Sequence, residues 1–170
     1  MGESGIILPD ERVELIEGEI IQMTPIGPPH IGAVIHLNTL LVRGAGDLAM
    51  VSPQLPVRLG DLSMPQPDLA LLKARSNFYT DVHPRENDVL LAIEVADSSV
   101  RYDRRVKLPL YARFGIPEYW IVNIPEHCIE VYRTPAGDRY QESRRYVTGE
   151  YLAPQALPDL VIEVGALLGA

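Results

Sequence analysis

The chain has 170 residues, 46% apolar and 22% charged, which suits one globular domain with its own core and excludes a disordered chain. A net charge of −8 counts against broad, sequence-independent gripping of nucleic acid, which rests on basic surface. No apolar run approaches the roughly 18 residues of a membrane span, the opening MGESGIILPDER lacks the pattern of a secretory leader, and the single cysteine, Cys128, suits a reducing, cytoplasmic setting.

In chain order, RVELIEGEIIQM (12–23) places apolar residues on both sides of Glu17-Gly18 and predicts a β-hairpin. Pro28 and Pro29 precede HIGAVIHLNTLLVR, where Ile31, Val34, Ile35, Leu37, Leu41 and Val42 recur at helical spacing and Gly44 is placed to end the helix. Short strands are expected at LAMVS, QLPVRL and DLALL, then a polar loop around Asn77 to Asp88, then the apolar strand LLAIEVAD at 90–97. A helix is expected within Asp103 to Phe114, stopped by Gly115 and Pro117. EYWIVNI and CIEVYRT read as two strands joined by a proline-containing turn, and the last thirty residues as one more hairpin, LVIEV and a short tail. This order implies a single α/β (α+β) domain over 1–170 with a mixed sheet and few helices. It lacks both the regular alternation and the glycine-rich phosphate loop of a doubly wound nucleotide-binding fold.

Three residues stand out chemically. Side chains alternate along a strand, so Leu91, Ile93 and Val95 share one face while Ala92, Glu94 and Ala96 share the other. A carboxylate in so apolar a strand is costly unless it is paired or holds a metal; the plain alternative is an edge strand with Glu94 in solvent. Asp68 opens the run LALL. It is an ordinary turn residue unless its strand lies beside that of Glu94, in which case two carboxylates make a hard oxygen site suited to Mg²⁺. Lys107 follows on the next helix. Only Lys73 and Lys107 are lysines, against 13 arginines, and a helix packed back on the sheet could bring the Lys107 ammonium to the two acids; otherwise it is a surface lysine. Pro109 implies either a kink there or a helix that begins only about two residues before it.

Between Arg101 and Arg113 stand five basic residues and one acid, Asp103. This is either a solvated helix face or a seat for a phosphate backbone. His30 opens the first helix, and Glu14 and Glu17 flank the first turn, all three ordinary surface positions on composition alone. His36, His83, His127 and Cys128 show no zinc-ligand spacing, and there is no G-x-S-x-G nucleophile motif.

Together VELIEGEI, His30, PDLALL, LLAIEVADSSVRYDRRVK and YARFGIPEYWIVN resemble the Uma-two family, a branch of the PD-(D/E)XK restriction-endonuclease-like superfamily, over nearly the whole chain. The last two segments carry most of the specificity. The resemblance implies a restriction-endonuclease-like mixed central sheet flanked by helices, with an N-terminal β-hairpin. It implies an active site of Asp68, Glu94 and Lys107, with Asp68 and Glu94 on the metal. The superfamily's lysine normally stands two residues after the glutamate, where this chain has Ala96; Lys107 takes the matching place on the following helix. Glu14, Glu17 and His30 are additional candidates. Asn123 stands where an aspartate is common.

The expected activity is that of a Mg²⁺- (or Mn²⁺-) dependent endonuclease hydrolysing DNA, a hydrolase acting on ester bonds. Arg101, Arg104 and Arg105 would seat the nucleic-acid backbone. A homodimer is expected by analogy with cleavage of both strands of a duplex. The rival reading is a catalytically inactive protein that keeps the fold as a nucleic-acid-binding or protein-interaction scaffold; an RNA or nucleotide substrate is a third.

Overall fold

The computed structural model describes residues 12–168; residues 1–11, on which the expectation about a leader mostly falls, lie outside them. The chain opens with the hairpin β1 (Val13–Ile16) and β2 (Glu19–Gln22). Glu17 and Gly18 both have positive φ, 50° and 87°, the pattern of a tight two-residue turn whose twist matches that of the strands. Helix α1 (Pro28–Ala45) follows, with both prolines in its first turn, where missing N–H groups cost nothing.

The core is a six-stranded sheet in the order β3-β4-β5-β6-β7-β8. Its strands are β3 (Ala49–Pro53), β4 (Leu69–Lys73), β5 (Val89–Ala96), β6 (Glu118–Asn123), β7 (Cys128–Ala136) and β8 (Arg139–Val147). Only β5 and β6 pair in parallel; every other neighbour is antiparallel. The helical crossover between those two strands consists of α2 (Val100–Tyr102), a π-helical turn (Asp103–Lys107) and α3 (Leu108–Arg113). A small pair, β9 (Tyr151–Leu152) and β10 (Ile162–Glu163), leads into α4 (Val164–Leu168).

The central strands are buried on both faces, which explains their near-continuous apolar runs. On one face Leu91, Ile93, Val95 and Trp120 pack with Leu37 and Leu41 of α1 and Val164 of α4. On the other, Ala92, Ala96, Tyr119 and Ile121 pack with Ile16 of the hairpin and with Leu110 and Tyr111 of α3. Glu94 shares this second face, so the alternation read from the sequence holds and β5 is no edge strand.

Several local expectations need correction. QLPVRL is not a strand. Pro56 has no N–H for a ladder, Gln54 has φ 49°, the Val57 and Arg58 N–H groups bond to the loop carbonyls of Pro65 and Pro84, and Arg58 and Leu59 make only isolated bridges. Helix α1 runs past Gly44 to Ala45, with Gly46 (φ 47°) as its C-cap. Its buried stripe is His30, Ala33, Leu37, Leu41 and Ala45, whereas Ile31, Ile35 and Val42 are exposed. The crossover helix begins at Val100, ahead of the expected Asp103. Among the described residues no helix is long and apolar enough to cross a membrane.

Candidate active site

Sheet register brings the two acids together. Strands β4 and β5 pair Leu69 with Ile93, so Asp68, just before β4, lies beside the Glu94–Val95 end of β5, where the Val95 N–H reaches its carboxylate. Asp68 is fixed by three donors. His30 Nε2 lies 3.0 Å and the Val95 N–H 2.9 Å from Oδ2, while the Gln54 amide reaches Oδ1 at 3.3 Å. Burial would raise the Asp68 carboxyl, but the His30 contact and the Val95 and Gln54 donors hold it below its ordinary value.

Lys107 arrives from the crossover. Pro109 has no N–H to give, and the helix absorbs this by widening. The Leu108 N–H bonds the Asp103 carbonyl five residues back, closing a π-turn over Asp103–Lys107. Such turns recur at functional sites because they re-aim side chains. The proline therefore sits in the first turn of α3, close to the expected start, while the π-turn before it continues the helix and carries the lysine into the site. Lys107 Nζ donates to Oε1 of Glu94 and to Oε1 of Glu14, both at 2.8 Å. The Tyr111 hydroxyl donates to the same Glu94 oxygen at 3.0 Å. Glu14 is anchored by the Gln66 N–H at 2.7 Å, which ties the hairpin to the segment that delivers Asp68.

Glu14, His30, Asp68, Glu94 and Lys107 line a cavity of about 310 Å³ between the hairpin, the start of α1 and the π-turn. Its walls hold Glu14, Asp68, Glu94 and Asp103, each no more than 7% exposed, beside Lys107 at 4%. Acid outnumbers base, and the proton affinities follow. Burial pushes Glu94 well above the carboxylate range; Lys107 opposes this, while Asp103, Asp68 and Glu14 reinforce it. Burial pushes Asp103 up to about 6 against the pull of Lys107 and a Ser99 hydrogen bond. Burial alone would lower Lys107, yet Glu94, Glu14 and Asp103 more than reverse that and hold its ammonium above the ordinary lysine value.

Of the residues singled out from the sequence, Asp68, Glu94, Lys107, Glu14 and His30 meet here. Glu17 does not; it is exposed at the hairpin tip and pairs with Arg113. Arg104 is bound to Glu130 through both ends of its guanidinium, while Arg101 and Arg105 are exposed. All three arginines line a shallow depression beside the crossover. Asn123 is fully buried, with its amide donating to Glu130 and its oxygen accepting the Glu126 N–H. Sequence reading missed Asp103, taken only as the one acid of a basic run, and Tyr102 and Tyr111. Their spacing gives the signal: Asp103 stands four residues before Lys107 and Tyr111 four after it, so a helix puts all three on one face.

A divalent ion fits this donor set. Glu94 spends Oε1 on Lys107 and Tyr111, which leaves Oε2 for a cation, and Asp68 Oδ1 carries only the long Gln54 contact. Among the described residues no three His, Cys, Asp or Glu side chains already stand in metal-ligand geometry. Two carboxylates suit a small hard ion that keeps most of its waters. A second cavity, about 560 Å³ beside β3, is lined by apolar residues such as Met50, Leu55 and Phe78 and contains no carboxylate.

The six-stranded mixed sheet flanked by helices, with its N-terminal hairpin, is a nuclease-like α+β fold. The chain belongs to the Uma2 family, described as putative restriction endonucleases, whose model matches residues 6–165. The fold is shared with a putative nuclease belonging to DUF820 from Anabaena variabilis, solved by crystallography, with a TM-score of 0.77 and 16% identity over 98% of this chain and 95% of that one. The curated proteins contain no significant match to the chain.

Proposed function

We propose that the protein is a metal-dependent nuclease, using Mg²⁺ or Mn²⁺, that hydrolyses phosphodiester bonds of DNA. One observation carries the reading: four buried carboxylates and one lysine ammonium line a single cavity, with two of the acids 2.8 Å from the ammonium. So much buried negative charge is unstable without a further cation.

Asp68 and Glu94 would hold the ion, which supplies polarisation of the phosphodiester and a more acidic bound water. His30, Val95 N–H and Gln54 fix the Asp68 carboxylate, and Tyr111 fixes that of Glu94. The Lys107 ammonium, pinned at 2.8 Å to two acids, is placed to stabilise charge that builds on the attacked phosphate. Arg101 and Arg105 beside the crossover would take flanking phosphates as point contacts, which suits a protein whose net charge of −8 offers no broad basic face. A cytoplasmic homodimer would present two such centres to the two strands of a duplex.

The test is cleavage of DNA and RNA substrates with and without Mg²⁺ or Mn²⁺ by the wild type and by Glu94→Ala. Metal-dependent cleavage of DNA that disappears in Glu94→Ala is expected. Equal rates for the two proteins would end the role of Glu94, and cleavage confined to RNA would move the substrate class.

A further inference from the structure

Lys107 is the buried ammonium among the acids of this site. Its ammonium is 2.8 Å from Glu94 Oε1 and, with the same length, from Glu14 Oε1. A divalent ion on the free Oε2 of Glu94 brings two positive charges toward the ammonium on Oε1, and like charges sharing one carboxylate repel. A buried ammonium that loses its partner without gaining another is strongly disfavoured, so the lysine needs a second place to stand. Glu14 provides it. It is buried, it is held by the Gln66 N–H at 2.7 Å, and its strand is tied to the same segment by the Met64 N–H bonded to the Leu15 carbonyl at 2.6 Å. Tyr111 stays on Glu94 Oε1 at 3.0 Å, so that carboxylate keeps its orientation when the lysine leaves.

We propose that Glu14 is a docking post for Lys107: on metal loading the ammonium releases Glu94 and remains on Glu14, which makes Glu14 a positioning residue rather than a metal ligand. The inference rests on the metal-dependent reading above. It gives the hairpin a purpose in the site, since β1 brings Glu14 to Lys107 while Ile16 packs in the core beside it. It also assigns Lys107 two successive tasks, neutralising the empty acid cluster and then meeting the phosphate from a fixed support.

The experiment is a calorimetric Mn²⁺ titration of the full chain without substrate, for wild type, Glu14→Asp, Glu14→Gln, Lys107→Met and the Glu14→Asp/Lys107→Met double variant. Glu14→Asp keeps the charge but shortens the arm by one methylene, so Lys107 falls back on Glu94 and Mn²⁺ affinity drops about tenfold, the scale of a lost supporting contact. Lys107→Met removes the competitor and tightens binding by a similar factor. In the double variant the Glu14→Asp effect shrinks to within about twofold, because the two residues act as one unit. Wild-type affinity in Glu14→Asp, or a loss that persists in the Lys107→Met background, overturns the proposal; the second result would make Glu14 a ligand. If Lys107→Met does not fold, the two Glu14 variants decide: a role through charge alone weakens binding in Glu14→Gln and spares Glu14→Asp, whereas a post is lost in both. No Mn²⁺ binding by wild type would overturn the metal reading itself. Metal binding with the wrong order of variants removes only the post.

Discussion

Lys107 Nζ lies 2.8 Å from Oε1 of Glu94 although the two residues are 13 apart in sequence. The contact spans the end of β5 and a π-turn, and it pairs an acid on a strand with an amine on a helix.

Replacing Lys107 should therefore affect the chemical step. In Lys107→Met the cleavage rate should drop about 10²–10³-fold, the usual scale for losing one preorganised donor to developing charge. Lys107→Arg should not rescue it. The guanidinium is larger and planar, and it must fit where a lysine only 4% exposed now holds a compact ammonium 2.8 Å from both Glu14 and Glu94. Single-turnover cleavage under saturating metal checks this; full activity in Lys107→Arg would show that a charge anywhere in the cavity suffices.

The metal-free protein should gain stability as pH falls from about 7.5 to 5. Asp103 has its carboxyl pushed up to about 6 from an ordinary 3.8, and burial raises Glu94 in the same direction. A carboxyl whose folded value lies above its unfolded one costs stability above the folded value, and the cost fades as pH drops through it. Asp68, lowered by its donors, works oppositely, but only as pH falls below its unfolded value. Added Mg²⁺ competes with those protons, so its thermal stabilisation should be larger at pH 7.5 than at 5.5. Glu94→Gln should flatten the metal-free profile, raise Tm near neutrality and abolish cleavage, a trade of activity for stability. Thermal melts across pH decide it; an apo Tm that climbs from pH 5 to 7.5 would contradict it.

The sheet could be read from the sequence because its central strands are buried on both faces. LLAIEVAD and EYWIVN leave no other fate for so many apolar residues, and a two-residue period then settles which face Glu94 takes. The Glu17-Gly18 turn was legible for a similar local reason, since two positive φ values suit few residue pairs. The site needed more. No local pattern pairs Asp68 with Glu94, or Glu14 with a lysine 93 positions away; those follow from strand order and from the family resemblance. Pro109 looked like a break because a proline costs an α-helix one hydrogen bond, and five-residue bonding at Leu108 removes that cost. Asp103 was hidden by its neighbours, since three cations flanking one acid suggest a solvated stripe. QLPVRL misled because its apolar residues anchor a loop to the core, with Val57 and Leu59 buried and no ladder partner required.

The basic run should divide by function. Arg104 Nε donates to Glu130 Oε2 at 2.9 Å, with its second nitrogen on Oε1, so Arg104→Ala should chiefly cost stability. The loss should be about 1–2 kcal/mol, because the guanidinium stays partly in water. Arg101 and Arg105 are exposed, and Arg101→Ala or Arg105→Ala should leave Tm unchanged while weakening DNA binding and lowering the salt slope by about one each. Binding measured over a range of salt alongside thermal melts separates the two; Arg104→Ala that melts like wild type yet loses binding would reverse the assignment.

His30 supports the acid pair from outside the sheet. Its Nε2 is 3.0 Å from Asp68 Oδ2, which fixes the carboxylate and lowers its proton affinity. His30→Ala leaves the Val95 and Gln54 donors in place, so the loss should be partial, about 10–100-fold in metal affinity or rate, as for other residues that orient a ligand. Without His30 the Asp68 carboxyl holds its proton to higher pH, so the deficit should widen as pH is lowered. His30→Gln returns an amide donor and should recover part of it. Calorimetric metal titrations at two pH values distinguish this from a packing defect, which would lower Tm without a pH-dependent change in affinity. Unaltered metal affinity in His30→Ala would show that Val95 and Gln54 alone orient Asp68.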